Sequence, residues 1–250
     1  MPEAEDHERP ILEVIVCSLV DAVEAERGGA DRLEVVRELN RGGLTPDLPL
    51  VRAIRRAVSL PLRVMLRESE DDSQRGDDIR LRAAAIELEQ IGAEGLVIGF
   101  LRNNTVDLER TGTILHYVPN MHATFHHAFD ETESPHDTIA QLKRCRQIDR
   151  ILSSGGPGEL SVRAARLERY RQQAREEITL LAGGGLDEAA IRFLCARTGL
   201  REFHVGRAAR YPRTDSGPVR AAQVASLRRL LLENSRSRLL LNTNGGHALE

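Results

Sequence analysis

The chain has 250 residues and a formal net charge of −3, which allows one large domain or two small ones and argues against a nucleic-acid partner. Its three cysteines, Cys17, Cys145 and Cys195, are odd in number and widely spaced, so neither a disulfide framework nor a zinc knuckle is expected and a reducing, cytoplasmic setting is the default. The first residues are polar and acidic and no apolar run approaches the about 18 residues of a membrane span, so no signal peptide and no membrane partner are expected.

Residues 1–10 read as a disordered tail. A strand follows over 11–16, then a helix over 19–26 closed by Gly28 and Gly29. The second strand (33–36) leads through a Gly- and Pro-containing loop to a helix over 50–58. Pro61 starts the third strand (62–66), and a charged loop over 68–78 precedes a helix over 79–91. Strands over 95–98, 121–125, 151–153, 179–182 and 203–205 then alternate with helices over 108–117, 135–146, 160–175, 188–197 and 219–232. Residues 233–250 form a polar C-terminal tail whose last two, Leu249 and Glu250, have the character of a cloning scar. Eight strands alternating with eight helices imply parallel strands and crossover helices, and the span 11–232 has the size of a single (β/α)8 TIM barrel. A doubly wound open sheet is the other arrangement of such a pattern, but the first strand lacks the Gly-rich turn it usually carries. With 3% aromatic residues and no Trp, the core must be built of Leu, Val, Ile and Ala.

The strands carry charge. Glu13 alternates with Ile15 and Cys17 on one face of the first strand, Glu34 with Val36 on the second, Arg63 with Met65 and Arg67 on the third, and Glu202 with His204 and Gly206 on the eighth. The outer face of a barrel strand packs on helices and tolerates no charge, so these faces point inward and their acids and arginines must pair. Either they form a salt-bridged plug or they line a polar pocket. The expected mixture puts Glu13 and Arg63 deep and Glu34, Arg67, His126 and His204 near the mouth.

The fifth strand ends in His126 and His127, with Asp130 placed to orient an imidazole or to cap the next helix. In a barrel this is the end where chemistry is done, and His126 is a candidate general acid/base with Arg67 holding negative charge. Two solvated loop histidines are the plainer alternative. After strand seven come Gly183, Gly184 and Gly185, and after strand eight Gly206 and Arg207. Loops in these places commonly hold phosphate, so Gly184, Gly185, Gly206 and Arg207 are the expected anion-binding residues, although such glycines also serve as simple turns.

Five segments in order carry a resemblance: Leu12-Glu13-Val14, residues 29–34 (GADRLE), 42–46 (GGLTP), 125–130 (FHHAFD) and 152–155 (LSSG). Together, over residues 11–232, they resemble the CutC family. The resemblance implies a TIM barrel, a cytoplasmic location, an assignment to copper homeostasis with copper as the ion concerned, and homo-oligomers. It also marks departures. The two cysteines of the family pattern fall on Ile15 and Val36, which removes the thiols suited to Cu(I). Cys17, on the same face as Ile15, is the one substitute and a weak candidate metal ligand; no cofactor is fixed. The Arg-Pro-Arg-Gly-Gly-Asp-Phe segment after strand three is kept only at Arg67, the Arg of the fifth motif is His127, and His-Ser-Ser after strand eight becomes His204-Val205-Gly206. The partner implied by the charges alone is a small anionic molecule, phosphorylated or not, acted on or bound by the enzyme-like mouth.

Overall fold

The computed structural model describes residues 9–73 and 76–244, with side chains through residue 235. Eight parallel strands close into a barrel: β1 (Ile11–Val16), β2 (Arg32–Val35), β3 (Leu62–Met65), β4 (Gly95–Ile98), β5 (His122–Phe125), β6 (Ile148–Ser153), β7 (Thr179–Ala182) and β8 (Glu202–Val205), with β8 pairing back onto β1. The helices α1 (Leu19–Arg27), α2 (Leu48–Ala57), α3 (Asp78–Ile91), α4 (Leu108–Leu115), α5 (Pro135–Leu142), α6 (Leu160–Ala174), α7 (Glu188–Arg197) and α8 (Ala221–Asn244) follow the strands one by one. Ser18, Asp107, Ser134 and Asp187 cap α1, α4, α5 and α7 by accepting from backbone N–H groups in the first turn, which satisfies donors the helix itself cannot.

Three features differ from the sequence reading. A hairpin of Leu101–Arg102 and Thr105–Val106 follows β4, turning at Asn103 and Asn104 with positive φ, the residue type that tolerates that conformation best after glycine. The last helix runs on to Asn244, so the polar tail expected from residue 233 is helical over 233–244. The β6 strand begins at Ile148, earlier than the expected 151, which brings Asp149 and Arg150 into the barrel wall. The expected tails at residues 1–8 and 245–250 lie outside the described residues.

The pleat decides which side chains meet. Leu12, Val14 and Val16 of β1, Leu33 and Val35 of β2, and Phe203 and Val205 of β8 face outward into the main core against the helices. The alternate residues face inward and are charged at the deep end of the barrel. Arg32 donates from Nε to Glu13 and from Nη2 to Glu202, 2.7 Å away. Glu202 is in turn 2.8 Å from Arg150 Nε, Arg150 pairs with Asp149, and Arg63 grips Asp149 with two bonds of 2.9 and 2.7 Å while also reaching Glu94 at 3.2 Å. On the other side of Glu13, His204 Nδ1 is 2.7 Å from Oε1, and its Nε2 is 3.2 Å from Glu34. The side chains therefore alternate in sign from Glu34 at the mouth to Glu94 at the base.

Glu13, Glu34 and Arg63 are inward and buried, with Arg67 just past the end of β3, but the expectation that these four pair with one another is wrong. The register puts Glu13 level with Arg32 and His204, and although it also sets Glu34 level with Arg63, the Arg63 side chain turns down to Asp149 and Glu94 at the floor while that of Glu34 meets His204. Glycine at 95 is required there, since a Cβ would sit 2.7 Å from Arg63 Nη1. Above the ion layer a small apolar patch of Val36, Met65 and Val97, flanked by Ile15, Cys17 and Leu39, covers one inner wall.

Candidate functional site

At the carboxyl ends of the strands the barrel opens into a cavity of about 500 Å³. This is the end where side chains from different strands converge. Glu34, Arg67, His126 and His204 line it, as do Gly184, Gly185, Gly206 and Arg207; Glu13 and Asp130 do not. Its apolar wall is Ile15, Val36, Met65 and Leu152.

His204 sits at the floor between two carboxyls. Burial would lower its pKa, but Glu34 and Glu13 raise it above the ordinary value, which favours the charged ring; Nδ1 donates to Glu13, and Nε2 forms an ion pair with Glu34. Burial would raise the carboxyl of Glu13, yet Arg32 and His204 hold it below the usual range. Among the described residues Glu34 has no arginine in contact. Burial pushes its pKa up to about 7 against the pull of His204, with Glu13 adding to the rise.

His126, 3% exposed, occupies the position the strand end predicts, but not the role that an acid/base needs. Its Nδ1 accepts from the Ala128 N–H at 3.1 Å, so the proton of the neutral ring is on Nε2, which faces Asp72 at 3.6 Å. Burial, and then Arg67 and His127, hold its pKa well below the ordinary value. It is a hydrogen-bond donor with its lone pair already used. The ring needs Gly99, just past the end of β4, where a Cβ would be 2.3 Å from Cε1.

Asp130 does not orient His126. Its Oδ1 accepts from Ser153 Oγ at 2.5 Å, and its Oδ2 accepts from Ser154 N and Oγ at 2.8 Å and lies 3.4 Å from His127 Nδ1. Burial raises its pKa, and the bonds from His127 and the serines more than reverse this, leaving a carboxylate. Nor does it cap the next helix, since Ser134 does so. Arg67 is tied into the loop after β3: Nε donates to the Ser69 carbonyl at 2.6 Å and lies 3.1 Å from Asp72, and Nη2 donates to the Glu70 carbonyl at 2.5 Å.

At the glycine loops, Gly184 and Gly185 take positive φ of 79° and 74°, and Arg163 of α6 holds the Gly184 carbonyl at 3.2 Å. Among the described residues the N–H groups of Gly184, Gly185 and Gly206 make no hydrogen bond, and all three glycines face the cavity. Arg207 is 60% exposed and only 3.8 Å from Asp215. Cys17 does not face the cavity as a ligand would. Its Sγ receives Arg210 Nη2 at 3.6 Å and its thiol pKa is raised, chiefly by burial, so a fixed guanidinium occupies the place a cation would need.

Asp72 and Arg32 are central to this arrangement and were not singled out by the sequence, whereas Glu202 was expected on the inward face and lies there. Asp72 comes from the charged loop. Burial pushes its carboxyl up to about 7, against the pull of Arg67. A raised value favours the neutral acid in the folded chain. Its contribution to stability is therefore complete below the unfolded value of 3.8 and is lost as pH rises through about 7. The melting temperature should fall by a few degrees between about pH 5.5 and pH 8.5. Asp72→Asn should remove part of that fall in a calorimetric scan; an unchanged fall would contradict the assignment.

The CutC family model matches residues 10–209 of the chain. A human protein named copper homeostasis protein cutC homolog is 33% identical over 199 residues, covering 78% of this chain and 72% of the relative. A CutC family protein of Mesorhizobium japonicum is 33% identical over 198 residues, covering 78% and 76%. In shape, a CutC protein from Streptococcus agalactiae superposes with a TM-score of 0.74 at 21% identity over 79% of this chain and 98% of that one. A thiamine phosphate pyrophosphorylase from Pyrococcus furiosus gives 0.58 at 13% identity over 91% and 97%. These two likenesses speak for the barrel alone. The match over most of the barrel, together with relatives at this identity, places the chain: it belongs to the CutC family.

Proposed function

We propose that the chain serves copper homeostasis, the role its relatives are named for, by handling or responding to copper without holding Cu(I) in its barrel. The observation that carries this is the pair Ile15 and Val36. They stand where the family pattern has cysteines, and both are aliphatic walls of the cavity. Cu(I) is a soft ion that selects thiolate and thioether ligands, and the cavity offers carboxyl, imidazole and guanidinium groups with Met65 as its one sulfur among the described residues. A cytoplasmic setting and self-association belong to the same reading. A bathocuproine competition titration should find no stoichiometric Cu(I) binding tighter than about micromolar. Tight binding would overturn the reading and return Cys17 to consideration, with His126 or His204.

The cavity supports a second reading, in which the mouth binds or acts on a small anionic molecule. Three glycines whose N–H groups have no partner among the described residues line a common space, and Arg207 and Arg67 line it with them. Backbone N–H groups and a guanidinium are the usual cradle for phosphate oxygens. Neutral His126 would donate to such a ligand from Nε2, and Glu34 would be the titrating group beneath it. Inorganic phosphate should give measurable heat in calorimetry at millimolar ligand. Gly206→Val should abolish it with the melting temperature within a few degrees, because the added Cβ meets only the flexible end of Ile15, 3.1 Å away. No heat with the unmodified protein would reduce these glycines to turn residues.

A further inference from the structure

We infer that His204 and Glu34 form a divalent-cation site on the cavity floor, with Glu13 steadying the imidazole from behind. One ligand atom from each of the three residues lies within 4.8 Å of the others, and their exposures are 5%, 3% and 1%.

The geometry is that of a metal ligand and its support. Glu13 Oε1 accepts from His204 Nδ1 at 2.7 Å, which fixes the ring and directs Nε2 toward Glu34. A carboxylate behind a ligating histidine commonly plays this part, keeping the proton on Nδ1 of the metal-bound ring and raising the basicity of the other nitrogen. Glu13 is itself fixed by Arg32, and Arg32 by Glu202, so the support does not depend on a mobile side chain.

The spacing in front of the ring also fits. His204 Nε2 and Glu34 Oε2 are 3.2 Å apart. Two ligand atoms with bonds of about 2.0–2.1 Å to one ion, at angles between square and tetrahedral, are about 2.9–3.4 Å apart. An ion therefore enters between them with little movement of either side chain. Glu34 is the independent pointer to a ligand: it is nearly fully buried and lines the cavity, yet among the described residues it makes no hydrogen bond, only the ion pair with His204. Buried carboxyls are ordinarily satisfied by several bonds. The open side of the site faces the cavity, which supplies an entry path and room for water to complete the shell.

The donor set selects the ion. One imidazole nitrogen, one carboxylate oxygen and water suit Zn²⁺ or Mn²⁺, and they do not suit Cu(I). Binding exchanges the Nε2 proton of His204, together with the carboxyl proton of Glu34 where it is present, for the ion, and both protons go to solvent; no electron moves. The site stands apart from the copper reading, because Cu(I) binding and divalent binding are measured separately and either can fail alone.

The test is calorimetry of the untagged full chain with Zn²⁺ at neutral pH, paired with Mn²⁺ electron-spin-echo spectroscopy. One Zn²⁺ should bind at sub-millimolar ion, and Mn²⁺ should show the modulation of one directly bound imidazole nitrogen. Glu34→Gln and His204→Gln should each abolish the site. Glu13→Gln, if it folds, should weaken it by about 10- to 100-fold. His116→Asn and His136→Asn, distant from the cavity, should leave it unchanged. The spectroscopy on the unmodified protein carries the test if the variants do not fold. No Zn²⁺ uptake, binding that survives His204→Gln, or a Mn²⁺ spectrum without nitrogen would each overturn the proposal.

Discussion

The ion pair between Glu13 and Arg32 is the constraint from which the interior of this barrel is built. Barrel interiors are ordinarily filled by layers of branched apolar side chains. Here β1 and β2 bring opposite charges level in a space that excludes water, and each charge recruits the next. Arg32 needs a second acid and finds Glu202 on β8; Glu202 needs a second base and finds Arg150 on β6; the series ends at Arg63 and Glu94 on the floor. A buried pair of this kind is weak evidence of net stability, because desolvation offsets much of the attraction. Its stronger consequence is specificity. Removing one member leaves a buried charge without a partner, so side chains, strand register and barrel closure have to agree.

The mouth inherits its character from that series. Glu13 holds His204, and His204 is the sole charged contact of Glu34 among the described residues, so the last carboxyl of the row is left at the cavity floor with a pKa near neutrality. The opposite wall is governed by other rules. His126 is locked by Ala128 and Gly99, and Arg67 and Asp72 close behind it. A family pattern that places cysteines at positions 15 and 36 becomes, in this chain, an aliphatic wall facing a polar floor. That combination leaves a polar floor beneath a wall that carries no thiol at these two positions.

Much of the fold was legible because its signals are local. Eight apolar runs alternating with helical periodicity specify the parallel barrel, and charges at alternate positions of β1, β3 and β8 could only face inward. The positions of Glu34, Arg67, His126 and His204 at the cavity follow from the same pleat. What was hidden depends on contacts distant in sequence. Starting β2 at Leu33 left Arg32 outside the pattern, although the period of two from Glu34 leads back to it. Asp149 and Arg150 looked like loop because a buried strand is expected to be apolar. Asp130 was expected to orient an imidazole or cap the next helix; the end of β6 presents Ser153 and Ser154 to it, and its histidine partner is His127 rather than His126. Asp72 arrives on a loop with no periodicity to read.

Whether the interior charges act as one unit is tested most directly by a double-mutant cycle on Arg32→Met and Glu202→Gln, measured by urea unfolding. Both residues are buried and 2.7 Å apart, so the two losses should share most of their cost, with a coupling of about 1–3 kcal/mol. Losses that add to within about 0.5 kcal/mol would show independent pairs and contradict the claim that one network organises the barrel and its mouth.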